Sequence, residues 1–177
     1  VGCGNRGIGA IMDAIISTPN VEVVALADLF PEKIEAGLKQ LRSPQKGRIR
    51  EAGAQYGSLI IDWDRYDAVR VTPAHCFTGF DAYKQILETD ADIIILAGPP
   101  GFRPQHIRAV LEAGKHVFAE KPVAVDPVGT RSVLQSAGLA GQKRLGFMGG
   151  TQLRFSQPYN EVIKRVRDGQ IGEVRVR

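Results

Sequence analysis

Cysteine is nearly absent from this chain: Cys3 and Cys76 are the only two in 177 residues. Two thiols so far apart build neither a disulfide framework nor a zinc site. Both are expected to be reduced and structural, and no metal is expected. Long apolar runs are missing too. None approaches the roughly 18 residues of a membrane span, and no signal-peptide pattern stands at the start. Charge of one sign is not in large excess, with 23 Lys and Arg against 19 Asp and Glu, net +4. The basic residues are scattered apart from one cluster, "LRSPQKGRIR". Its plainer reading is a solvated loop and helix face, and a nucleic-acid footprint is the less favoured one. Internal repeats and low-complexity tracts are absent as well. What is present, 44% hydrophobic and 24% charged residues, is the balance of an ordinary globular domain.

The chain alternates two periods. After the opening glycines, Ile8, Ile11, Met12 and Ile15 recur at helical spacing. "VEVVALAD" follows as an apolar run of strand length, and "LFPEKIEAGLKQL" returns to a helical stripe. The rhythm resumes with "FDAYKQILETD" as helix, "ADIIILAG" as strand, "RPQHIRAVLEAGK" as helix and "HVFAE" as strand. "DPVGTRSVLQSAG" opens a helix with Asp126 as N-cap and Pro127 in first position. "RLGFMGG" is a further strand, "QPYNEVIKRVRDG" a helix, and "GEVRVR" the start of an alternating strand. Strands alternating with helices of this length predict a doubly wound α/β fold: a parallel sheet with helices on both faces. Residues 1–150 carry this rhythm and form the expected α/β domain. One stretch, about 43–75, is longer than a usual connection. It reads either as a surface excursion with a short helix, or as a flap near the adenosine or a subunit contact.

The opening "VGCGNRGIGA" has glycines at 2, 4 and 7, a G-x-G-x-x-G pattern. A helix after it and an acid at Asp28, 21 residues beyond Gly7, supply the context that gives the pattern meaning. Gly2 permits the tight turn, Gly4 lets backbone approach a pyrophosphate, and Gly7 lets helix and strand pack closely. The helix N-terminus then presents free N–H groups to the phosphates. Asp28 is placed to accept hydrogen bonds from the adenosine ribose. An acid there repels a 2′-phosphate, and Leu29 and Phe30 follow it rather than Arg or Lys, so NAD is favoured over NADP. The alternative is that Asp28 merely caps the helix of "FPEK". Only Val1 precedes the glycines, so the first strand is expected to be truncated.

At "AGKHVFAEKPVAVD", Glu120, Lys121 and Pro122 stand where a strand ends and a loop begins. That edge of an open parallel sheet is where ligands bind. Pro122 disfavours the helical region for Lys121, which holds it extended off the strand end. An ammonium there can hydrogen-bond a substrate hydroxyl or carbonyl. A solvent-exposed lysine at a turn is the competing reading.

"GCGNRG", "ALAD", "AGPPGFRPQHIRAVLEAGKHVFAEKP" and "GGTQLRFSQPYNEVIKRVRDGQIGEV", in this order, resemble the Gfo/Idh/MocA oxidoreductases, the family of glucose–fructose oxidoreductase and inositol dehydrogenase. The resemblance implies an N-terminal Rossmann domain, residues 1–150, binding NAD or NADP, and a second α/β domain, begun by residues 151–177, holding substrate and the oligomer interface. It assigns Gly2, Gly4, Asn5, Arg6 and Gly7 to the dinucleotide loop, and Asp28, with Leu29 beside it, to the ribose. Ala97, Gly98 and Pro99 would pass beside the nicotinamide ribose. Glu120 would be a cofactor residue. Lys121 would bind substrate and assist proton transfer, while Gln152 and Arg154 would face the substrate. Many members carry Thr-Pro-Asn and then a His in the loop after "ADIIIL", where this chain has Gly98, Pro99, Pro100 and Arg103. His106 comes three positions late for that role and is expected on a helix surface. A second acid/base residue from the substrate domain is not found, since no His follows His116.

The resemblance implies hydride transfer between NAD and a sugar, cyclitol or related polyol. It also implies a small-molecule partner, neither nucleic acid nor membrane, and a homo-oligomer formed through the second domain. Cytoplasm is the default compartment, with export left open. Two alternatives stand beside it: a glycoside hydrolase working through transient oxidation by tightly held NAD, and a non-catalytic NAD-binding module.

Overall fold

The computed structural model describes every residue except 19, 44, 52–57, 64, 65, 174, 176 and 177. The chain divides into two compact units, one of Val1–Lys46 with Asp62–Gly150, the other of Gly47–Ile61 with Thr151–Arg177.

The first unit alternates as the two periods require. Helix α1 (Asn5–Ser17) leads to strand β1 (Leu26–Asp28) and helix α2 (Pro31–Arg42). In the long excursion, whose residues Gly47–Ile61 belong to the second unit, strands β2 (Gln45–Glu51) and β3 (Ser58–Trp63) pair with each other. Two 3-10 turns, Tyr66–Ala68 and Pro73–His75, then lead to β4 (Cys76–Thr78). The excursion thus carries a strand pair as well as short helical turns. Helix α3 (Ala82–Leu87), strand β5 (Ile93–Leu96), helix α4 (Arg103–Glu112) and strand β6 (His116–Glu120) follow. Helix α5 (Pro127–Lys143) and strand β7 (Phe147–Gly150) complete the unit. Asp126 caps α5 as its spacing predicts, accepting from Gly129 N at 2.6 Å.

Three pairings in the first unit are parallel: β1 with β4, β5 with β6, and β6 with β7. Val1 and Gly2 join the two groups. The Val1 amine donates to Ile95 O at 2.7 Å and Val1 O accepts from Ala97 N at 2.8 Å, while Gly2 N donates to Ala27 O at 2.8 Å. Across the sheet the order is therefore β4, β1, Val1–Gly2, β5, β6, β7. The order in which strands are added reverses where residues 1–2 lie, the switch point at which open α/β sheets bind ligands. The strand expected over 21–28 is regular only at 26–28, with one isolated parallel bridge between Val23 and Val69.

Helices cover the sheet in two layers. On one side α1 and α2 pack together, burying Ile8, Ile15, Ile34 and Leu41. On the other, α4 sits between α3 and α5 and inserts Ile107, Val110 and Leu111 against Ile94, Leu96 and Val117. Each such side chain contributes about 1.5–3 kcal/mol on burial. The chain is thus the doubly wound α/β fold its rhythm predicts.

In the second unit, a 3-10 turn (Gln152–Phe155) precedes helix α6 (Gln157–Arg167). The strand expected over 172–177 falls partly on residues 174, 176 and 177, outside the described ones. Among the described residues no helix is long and apolar enough to cross a membrane.

Candidate functional site

The glycine loop occupies the switch point. Gly2 has φ +88°, and a Cβ there would lie 2.4 Å from Gly98 N. At Gly7 a Cβ would lie 1.8 Å from Gly2 O, so helix and loop touch backbone to backbone. Gly4 differs: a Cβ there meets nothing within 4 Å, so its face is open. It is also the N-cap of α1, which starts at Asn5, has no side-chain cap and has no acidic residue in its first turn. The exposed N–H groups of that turn suit an anion.

Asp28, at the end of β1, is bound into this loop. Its Oδ2 accepts from Cys3 N at 2.6 Å and its Oδ1 from Phe30 N at 3.1 Å. The residue that caps α2 is Phe30, without a side-chain bond, so Asp28 is not the helix cap. Carboxylate oxygens accept more than one bond each, which leaves acceptor capacity for a diol. Leu29 beside it is exposed. Cys3 is buried, and burial pushes its thiol up to about 11, which keeps it unreactive.

At the end of β6, Glu120 is 3% exposed and accepts from Arg6 Nε at 2.6 Å. Arg6 NH1 also approaches Asp13 Oδ2 at 3.5 Å. The glycine loop and the Glu-Lys-Pro segment are thereby tied together. Lys121 is exposed, one residue beyond, and joined to Pro122 by a cis peptide bond. Ala97 and Gly98 are half-buried and Pro99 exposed on the neighbouring loop after β5. Gly2, Gly4, Asn5, Arg6, Gly7, Asp28, Ala97, Gly98, Pro99, Glu120 and Lys121 thus all belong to one carboxyl edge of one sheet. Gln152 and Arg154 lie in the other unit, in its 3-10 turn, with Arg154 exposed.

Arg103 has more contacts than its place in the sequence suggests. This first residue of α4 is 5% exposed, its NH2 donating to Gly98 O at 2.7 Å and its NH1 to Pro122 O. An Arg directly before a helix-initiating Pro, in an otherwise apolar "GPPGFRP", was the available signal. His106 is not a free surface residue. It is half-buried, stacked on Tyr83 at 4.2 Å and near Phe102 at 6.0 Å, and burial drives its pKa down to about 4. Phe102 in turn lies 6.3 Å from Phe80, which is 71% exposed. Among the described residues no group of His, Cys, Asp and Glu is arranged to hold a metal.

A family model described as "Oxidoreductase family, NAD-binding Rossmann fold", that of the Gfo/Idh/MocA proteins, matches residues 1–145. An inositol 2-dehydrogenase of Rhizobium meliloti is 26% identical over 163 residues, 92% of this chain and 38% of the relative. A glycosyl hydrolase family 109 protein of Streptomyces coelicolor is 25% identical over 175 residues, covering 98% of this chain and 31% of the relative. The crystal structure of myo-inositol 2-dehydrogenase from Lactobacillus plantarum is similar in fold, with TM-score 0.68 and 20% identity over 98% of this chain and 41% of that one. The chain thus spans well under half the length of the relatives it matches. With a family match over most of its residues and the same parallel sheet beneath its glycine loop, it belongs to the Gfo/Idh/MocA oxidoreductase family and carries that family's NAD-binding Rossmann fold.

Proposed function

We propose that this chain is the cofactor-binding part of a nicotinamide-dependent oxidoreductase acting on a sugar, cyclitol or related polyol. The observation that carries the reading is Lys121 at the same sheet edge as the open face of Gly4, with the 2.6 Å contact between Arg6 and Glu120 joining the two segments. The residues present fit a dinucleotide: uncapped N–H groups for the pyrophosphate, an open glycine face beside them, and a carboxylate with spare acceptors for the ribose. Asp28, followed by exposed Leu29 and Phe30, favours NAD over NADP.

When bound, the nicotinamide supplies the hydride chemistry. The protein's part is positioning and proton handling. The Lys121 ammonium holds the substrate oxygen by hydrogen bond and assists transfer of its proton. Ala97, Gly98 and Pro99 form the loop beside the nicotinamide ribose, and Gln152 and Arg154 contribute to the substrate side. In the intact enzyme Lys121→Ala is expected to lower kcat by about 10²–10⁴-fold while NADH still binds. Unchanged turnover on a panel of inositols and sugars would remove Lys121 from its role.

A second reading draws on the glycosyl hydrolase family 109 relative, similar across 98% of this chain. There the same cofactor site would serve glycoside cleavage with no net redox change. Release of a chromogenic aglycone without accumulation of NADH supports that reading; NADH formation from free polyols supports the first.

A further inference from the structure

We infer that Arg103 is a positioning residue that sets the distance between the loop carrying Gly98 and the loop carrying Lys121; this rests on the proposed role of Lys121. Its guanidinium is buried at 5% exposure and donates to two backbone carbonyls, Gly98 O at 2.7 Å and Pro122 O. One acceptor lies beside Pro99, the other belongs to the residue after Lys121. The two segments leave different strands, β5 and β6, and are joined here by one planar group.

The chemistry of that group is specific. A guanidinium presents its donors in a rigid fork, so two acceptors held by it have a fixed separation. An ammonium is a single point on a flexible stem and spans the same two carbonyls poorly. The fork is kept here under unfavourable conditions. Its Nε is buried without an acceptor, and among the described residues no carboxylate is bonded to it. Burial opposes its charge, and the Glu120 field favours it. A side chain needed merely to fill space would be better apolar, because buried ionic groups are replaced by packed hydrophobic ones at little loss. What an apolar group cannot do is hold two carbonyls in register. Arg103 links the two loops directly to each other, and a misplacement of about 1 Å in a reacting centre can cost about 10²-fold in rate.

The test compares the intact protein with Arg103→Lys, Arg103→Met and Lys121→Ala. NADH stoichiometry and affinity, kcat and KM on inositols, and amide hydrogen exchange at Gly98 and Val123 are measured in each. Arg103→Lys is expected to keep full NADH stoichiometry and affinity within about threefold, to lose about 10–100-fold in kcat, and to speed exchange at both amides. Wild-type kcat in Arg103→Lys overturns the inference, since charge without the fork then suffices. So does a fall in kcat that merely tracks lost NADH-binding sites, which marks a fold staple, as does unchanged exchange at both amides. If Lys121→Ala turns over normally, the role of Lys121 falls, and the exchange data alone decide whether Arg103 holds the loops. If Arg103→Met fails to fold, Arg103→Lys carries the comparison.

Discussion

Arg6 and Glu120 lie 114 residues apart in the chain and 2.6 Å apart in the fold. The pair is lopsided, with the Arg6 side chain 44% exposed and that of Glu120 3% exposed. Removing the arginine leaves a buried carboxylate without its partner, whereas removing both charges leaves no such debt. Arg6→Ala is expected to lose about 1–3 kcal/mol in urea unfolding, and Arg6→Ala with Glu120→Gln to recover much of it. A double variant no better than the single one would show that the pair does not couple.

Asp28 serves the loop and has acceptors to spare, so its removal acts on binding more than on fold. Asp28→Ala is expected to weaken NADH binding by about 10–100-fold, as loss of hydrogen bonds to a charged group does, and to affect NADPH less. Fluorescence titration with both nucleotides reads the difference.

Gly4 and Gly7 separate function from folding within one motif. Gly7→Ala sets a methyl 1.8 Å from Gly2 O and is expected to cost about 1–3 kcal/mol or more in thermal unfolding. Gly4→Ala meets open space and is expected to stay within about 0.5 kcal/mol of wild type while losing NADH affinity. Equal destabilisation by the two would deny Gly4 its open face.

Acid should find His106. Its pKa near 4 in the fold lies below the usual value of 6.5. The unfolded chain therefore takes up the proton more readily, and stability falls as pH drops from 6.5 toward 4. The slope from this residue is at most about 1.4 kcal/mol per pH unit. His106→Phe keeps a ring for stacking on Tyr83 and is expected to flatten that slope in denaturant titrations across this range. An unchanged slope would assign the acid sensitivity elsewhere.

The regular elements were legible because their signals are local. The stripe of Ile8, Met12 and Ile15, the Asp126 cap and the run "HVFAE" each declare themselves within a few residues. The glycine loop was legible because Gly2 and Gly7 answer to backbone contacts that only glycine allows. Arg103 showed in the sequence only as a departure from a family pattern, since its two acceptors are 5 and 19 residues away and its burial comes from packing. The Arg6–Glu120 contact has no local signature at all. The same holds for His106, whose ring is taken out of water by Tyr83, a residue of another helix.

Val1 donates to Ile95, 94 residues downstream. On a ribosome adding about 5–20 residues per second, roughly 5–20 s pass between the two. Throughout that interval the nascent chain holds an apolar strand edge without a neighbour, the kind of surface that chaperones cover and that other chains pair with. Such long-range parallel pairing also folds slowly. The sheet is born in two halves, and the seam beneath the glycine loop closes only after the second half has emerged.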